Sequence, residues 1–155
     1  RVLKISRTIL THLAKEGFND KGELTPLRCL YDPNMLEKIV FRIGDLIFGV
    51  NYDVILASSP RAIPIATLLS ITERVSWSLY SYYPDKEHRS LLISLSLKDN
   101  GKKEKEILDA GMNIGGIVYL LNEEKEDPKT IFKDYPPIKI ITISSIEQIN
   151  AFLNT

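Results

Sequence analysis

One stretch constrains the fold more than any other: Ser90–Lys103, SLLISLSLKDNGKK. It reads as a buried strand that runs into a tight Asp99-Asn100-Gly101 turn and then into a basic helix start. A strand, turn and helix in that order is the unit of an α/β chain, and anions commonly bind at that junction because turn amides and the helix N-terminus point at one spot. A second apolar run, Asp53–Ala57, is short and continuous, as expected of a strand covered on both faces. Val75, Trp77 and Leu79 alternate with polar or small residues and give a third strand. Met112–Leu121 is apolar with Gly115 and Gly116 at its centre, a strand that something approaches closely. Ile138–Ile143 is the last.

Helical stripes separate these runs. Val2, Ile5, Ile9, Leu10, Leu13 and Ala14 form one, closed by Gly17. Phe18–Leu30 reads as a loop or irregular strand. Asp32-Pro33 supplies an N-cap and a first-turn proline for a second helix carrying Leu36, Ile39, Val40, Ile43, Leu46, Ile47 and Val50. Ser58–Arg61 is a turn, and Ile63–Leu69 a helix that tolerates Pro64 in its first turn. Ser81–Arg89 is a polar connection rich in aromatics. Lys102–Ala110 is a helix closed by Gly111, and its Lys/Glu run to Glu106 reads as a solvated face. Asn122–Asp127 is a charged loop, and Pro128 starts one helical turn. Ser144 and Glu147 have capping-box spacing ahead of a last helical face of Ile146, Ile149, Phe152 and Leu153.

Strands alternating with helices predict an α/β fold: a mostly parallel, Rossmann-like sheet flanked by helices. The 155 residues suit one domain, with residues 1–50 as an N-terminal helical cap or added layer and 51–155 as the α/β core. No internal repeat or low-complexity segment interrupts it.

Twenty basic residues balance twenty acidic ones, so neither a nucleic acid nor a membrane surface is expected as a partner. No apolar run reaches spanning length, and no charged-then-apolar leader is read. The lone Cys29 cannot form an internal disulfide, which fits a reducing cytoplasm, and its plain reading is a small semi-buried apolar side chain. With only His12 and His88 available, no histidine-based metal site is expected.

Tyr52–Thr67, YDVILASSPRAIPIAT, resembles the strand, pyrophosphate loop and Gly-Ile-Pro-Leu-Ala helix start of the type I phosphoribosyltransferases, orotate phosphoribosyltransferase in particular. Gly17–Asp32 resembles that family's upstream loop: Gly22, Leu24, Thr25, Tyr31 and Asp32 are kept, while its Ser-Gly pair is Pro26-Leu27. Lys86-Glu87-His88-Arg89 is similar to the catalytic-loop Lys-x-His-Gly, and Ile141–Leu153 to the closing strand and helix. The resemblance implies the family's fold, phosphoribosyl pyrophosphate chemistry on a base such as orotate, and dimers, either of two copies or with an active paralogue. It implies magnesium only where phosphoribosyl pyrophosphate is bound, and no other cofactor.

The family's defining motif is a strand ending in two acidic residues, followed by a hydrophobic pair, two small or hydroxyl residues and glycine. Laid on this chain, the acids fall on Leu95 and Ser96, the hydroxyl positions on Asp99 and Asn100, and the glycine on Gly101. Leucine accepts no hydrogen bond and serine only a neutral one. Losing a charge-assisted bond to the reacting sugar lowers the rate by roughly 10²–10³ per group. Asp99 puts negative charge where the family receives a phosphate, with Lys98, Lys102 and Lys103 in partial compensation. Ala62 stands for a loop glycine, Pro60 removes an amide donor, Arg61 offers a replacement anion ligand, and the catalytic loop is short because Leu91 begins the next strand almost at once.

The resemblance therefore implies a degenerate homologue, catalytically impaired or inactive, that binds a phosphate- or nucleotide-like ligand or a protein partner. The candidate ligand-binding residues are Ser58, Ser59, Arg61, Asp99, Asn100, Gly101, Lys102 and Lys103, and the plain reading of each set is an ordinary turn. Lys86 and His88 are vestigial catalytic candidates in what also reads as a solvated loop. Tyr80, Tyr82 and Tyr83 are candidates for stacking on a base or a partner. The alternatives are an active transferase that makes a pyrimidine nucleotide, and a purely structural interaction module.

Overall fold

A computed structural model of the chain describes residues 7–9, 11, 15, 30 and 32–154. The expectations for Cys29, His12, Gly17 and the Gly22–Tyr31 segment lie outside the described residues, apart from Leu30. Helix α1 (Pro33–Leu46) starts as its sequence demands. The Asp32 carboxylate accepts from the amides of Asn34 at 2.9 Å and Met35 at 3.3 Å, and Pro33 occupies the first turn. The helix ends earlier than its apolar stripe suggests. Gly49 turns the chain at φ +86°, and Ile47 and Val50 reach the core from beyond the helix.

Strand β1 (Val54–Ala57) is buried along its whole length. A 3-10 turn over Pro60–Ala62 leads into α2 (Ile63–Glu73), one turn longer than its stripe, and Arg74 ends it in the left-handed region. Strands β2 (Trp77–Leu79), β3 (Ser90–Leu97), β4 (Ile114–Asn122) and β5 (Lys139–Ser145) follow. Between them lie α3 (Lys102–Asp109) and the single turn α4 (Pro128–Ile131), and α5 (Ile146–Leu153) closes the chain. All neighbouring strands are parallel, in the order β2-β1-β3-β4-β5.

Alternate residues of the central strands feed two cores. Ile55, Ala57, Leu91, Ile93, Val118 and Leu120 pack with Ile39 and Ile43 of α1 and Ile65 and Leu69 of α2. Val54, Leu56, Leu92, Ile117 and Tyr119 pack with Ile107 of α3 and with Ile131 and Phe132. Helix α1 is thus a layer on the sheet. Both glycines of β4 are close-approach points: a Cβ on Gly115 would sit 2.5 Å from the Asn51 carbonyl oxygen, and one on Gly116 3.1 Å from Leu91 Cδ1.

Two local readings change. The capping box is one residue later than expected: Ser145 Oγ accepts from the Gln148 amide at 3.1 Å, and Gln148 Oε1 accepts from the Ser145 amide at 3.1 Å. Ser144 is buried and donates to the Leu120 carbonyl instead, because β5 carries it inside. The leucine–serine alternation of β3 does not mark a half-buried strand, since Ser90 and Ser94 are also buried.

Candidate functional site

In this strand order the chain reverses direction across the sheet between β1 and β3, and the crevice beyond the carboxyl ends of such strands is where open α/β sheets hold ligands. Ser58–Arg61 leaves β1 there, and Lys98–Lys103 leaves β3. The register pairs Ala57 with Ile93, and the Ser58 amide donates to the Ile93 carbonyl at 2.9 Å.

The β3 exit is tightly wound. Asp99, Asn100 and Gly101 have φ of +52°, +59° and +68°, and α3 begins directly after them. Gly101 is required twice over, for its backbone and because a Cβ would lie 2.8 Å from Phe132 Cζ. The amides do not form an open anion cradle. Gly101 N–H donates to Lys98 O at 3.0 Å, Lys102 N–H to Asp99 O, and Asn100 N–H to Glu124 Oε1 at 2.8 Å. With these three amides engaged, the cationic groups around the turn are the side chains of Lys98, Lys102 and Lys103. A cavity of about 250 Å³ beside the turn is lined by Ser96, Lys98, Asp99, Lys102 and Lys103, with Glu104 and Glu106. Ser58, Ser59 and Arg61 do not line it. The exposed Arg61 side chain has no hydrogen bond or ion pair among the described residues.

A buried polar chain joins the two exits. Ser58 and Ser94 share a hydroxyl–hydroxyl hydrogen bond at 2.8 Å, Ser94 Oγ lies 3.4 Å from Glu104 Oε2, and Tyr119 O–H donates to Glu104 Oε1 at 2.6 Å. Glu104 is only 3% exposed, so the Lys102–Glu106 run is not wholly a solvated face. Its spacing of three and four from Ile107 and Leu108 places it on the inward side of α3. Burial raises the Glu104 carboxyl above its ordinary value, against the hydrogen bonds from Tyr119 and Ser94 and the nearby Lys103 charge. Burial, and then Glu104 itself, raises the Tyr119 hydroxyl.

At the tip of β3, Leu95 packs on the core and Ser96 Oγ donates to Glu123 Oε2 at 2.5 Å. Neither position offers a carboxylate, and the described residues contain no group of three or more His, Cys, Asp or Glu side chains able to hold a metal ion. The carboxylate that reaches this tip, that of Glu123, comes from the β4 exit and is engaged by the Ser96 hydroxyl.

Lys86 and His88 are not brought to this crevice. They precede β3, whose eight residues span about 26 Å, so they stand at the opposite edge of the sheet. Lys86 Nζ donates to the Ala110 carbonyl at 2.7 Å, a cation at the C-terminus of α3. His88 Nδ1 pairs with Asp85, whose carboxylate also accepts from the Glu87 amide at 2.8 Å. The Asp85 hydrogen bond raises the exposed His88 imidazole. Among the tyrosines, Tyr80 and Tyr83 pack against the α3-side core while Tyr82 is 80% exposed.

The sequence reading missed Glu104, Tyr119, Ser94, Glu123 and Glu124. Only Glu104 carried a signal, its helical spacing from Ile107; the rest meet through strand neighbours distant in sequence.

No family sequence model matches the chain, and no curated protein matches it in sequence. Solved structures do. UMP synthase from Leishmania donovani superposes with a TM-score of 0.73 at 16% identity, over 96% of this chain and 38% of that one, so this chain spans little more than a third of its length. Orotate phosphoribosyltransferase from Mycobacterium tuberculosis with inorganic phosphate gives 0.71 at 11% identity, over 95% of this chain and 99% of that one. The same enzyme with 5-phospho-α-D-ribosyl 1-diphosphate gives 0.68 at 10%, over 94% and 99%. The chain has the phosphoribosyltransferase fold.

Proposed function

We propose that this chain is a phosphoribosyltransferase-fold protein that binds a phosphate-bearing ligand at the β3 exit without transferring its sugar. The observation that carries the reading is the tip of β3. Leu95 and Ser96 stand where the resemblance puts two carboxylates, and the Ser96 hydroxyl is engaged by Glu123. A transferase must stabilise positive charge as the sugar bond breaks; Leu95 and Ser96 offer no carboxylate for it, and the Glu123 carboxylate is already engaged by Ser96. Phosphate capacity remains in Lys98, Lys102 and Lys103 around the cavity. Structural neighbours crystallised with phosphate and with the sugar diphosphate support the same ligand chemistry. A cytoplasmic setting belongs to this reading.

Thermal unfolding tests it. Inorganic phosphate and phosphoribosyl pyrophosphate with magnesium should each raise the midpoint at millimolar concentration; a ligand at a hundred times its dissociation constant stabilises by about 2.7 kcal/mol. Orotate should add nothing. A further rise with orotate, accompanied by product, refutes the non-transferring reading, and no shift with any ligand refutes the phosphate site.

A second reading, pairing with another copy or an active paralogue, is favoured by exposed Phe41 and Phe48 on and after α1 and by exposed Ile71 on the contacting α2. Sedimentation of the wild type against Phe41→Ser/Phe48→Ser distinguishes it: a dimer that dissociates in the variant supports pairing, and a wild-type monomer refutes self-pairing.

A further inference from the structure

The β3 exit carries an internal anion. Strands β3 and β4 are neighbours, and their last residues pair, Leu97 with Asn122. The two exits therefore leave the sheet side by side. The β4 exit continues into Glu123 and Glu124, and the chain folds both back onto the β3 exit. Glu123 N–H donates to the Leu97 carbonyl at 3.0 Å, and its carboxylate accepts from Ser96 at 2.5 Å. The buried Asn122 side chain accepts from the Glu124 amide at 2.9 Å, which turns Glu124 toward the loop. Glu124 Oε1 then accepts from the Asn100 amide at 2.8 Å. Asn100 lies between Asp99 and Lys102, both of which line the cavity.

We infer that Glu124 is an autoinhibitory clasp: its carboxylate holds the Asn100 amide against external anions, and a phosphate-bearing ligand binds well only when the β4 exit releases it. This rests on the reading of the β3 exit as a phosphate site. The chemistry is direct competition. A phosphate and a carboxylate seek the same kind of donor, and the charge of Glu124 opposes an arriving phosphate. A tethered group also competes at a high effective concentration. A clasp closed for nine-tenths of the time weakens apparent affinity about tenfold. The neighbouring amides of Gly101 and Lys102 are engaged by Lys98 and Asp99 carbonyls, neutral acceptors within the turn. Asn100 is the amide in this turn that a carboxylate holds.

The test uses the full chain labelled with 15N, titrated with inorganic phosphate at constant ionic strength, as wild type, Glu124→Ala and Glu124→Gln. Glu124 is only half-buried and forms no part of either core, so the variants retain the fold, which the dispersion of the remaining amide signals verifies. The expected result is that the Asn100 amide proton shifts and exchanges faster in Glu124→Ala. Phosphate should then bind about tenfold tighter, with Glu124→Gln in between. An Asn100 amide unchanged in Glu124→Ala overturns the clasp. A changed amide with unchanged phosphate affinity overturns its inhibitory role and leaves the phosphate site standing. No binding to any of the three proteins overturns both.

Discussion

Glu104 gives the sharpest test of how the site is supported. It is a carboxyl that is 3% exposed, held at 2.6 Å by the Tyr119 hydroxyl and reached by Ser94. Burial raises its pKa above 4.5. Between that ordinary value and the raised native one, the folded protein holds a proton that the unfolded chain has released. Wild-type stability therefore falls as pH rises through this window, by about 1.4 kcal/mol per pH unit, and levels off above it. Glu104→Gln keeps the shape and an acceptor for Tyr119 but cannot ionise. It should match the wild type within about 1 kcal/mol on the acidic side and exceed it in stability above the window. Glu104→Ala leaves the Tyr119 hydroxyl buried without a partner, for about 1–3 kcal/mol, and opens a small void worth about 1 kcal/mol more. It should be the least stable of the three at acidic pH. Urea unfolding, followed through the single tryptophan, Trp77, at intervals between pH 4.5 and 8, reads all three. Parallel pH profiles for the wild type and Glu104→Gln would refute the buried, proton-retaining carboxyl.

Gly115→Ala should destabilise by about 2–4 kcal/mol, because its Cβ meets the Asn51 carbonyl oxygen at 2.5 Å and Arg89 Nε at 2.7 Å; chemical denaturation measures this. Gly101→Ala adds left-handed strain to a contact 2.8 Å from Phe132, and should cost about 2–3 kcal/mol and weaken phosphate binding by calorimetry. His88 should titrate above 6.5 by NMR and return toward that value in Asp85→Asn, since the Asp85 hydrogen bond is the main cause of its rise.

The architecture was legible because periodicity reports burial. The apolar part of the Asp53–Ala57 run, Val54–Ala57, is a strand buried throughout, and Gly115-Gly116 is the point where Asn51 and Val50 approach the sheet. The turn at Asp99–Gly101 was legible from its residue types, which tolerate the left-handed region. The destination of its amides was not. A carboxylate from Glu124 holds Asn100, and the pairing of β3 with β4 brings together these two residues, 24 apart in the chain. Glu104 was hidden by its charged neighbours, because a polar residue on an apolar face looks like part of the solvated run until its partner on β4 is known. Ser144 and Ser145 offer nearly equal capping patterns, and only the burial of Ser144 decides between them. Lys86 and His88 matched a motif by spacing, yet the chain between β2 and β3 carries them to the far edge of the sheet. Motif spacing does not encode which edge a loop ends on.

Phosphate binding and sugar transfer are separable events on this fold. Phosphorus NMR of phosphoribosyl pyrophosphate with magnesium and orotate, in the presence of the protein, reads both in one spectrum. A protein that binds without transferring gives ligand phosphorus signals that broaden or shift with protein concentration, and no inorganic pyrophosphate beyond the protein-free control. Protein-dependent pyrophosphate release that requires orotate would refute binding without transfer and would mean that other residues supply what Leu95 and Ser96 do not.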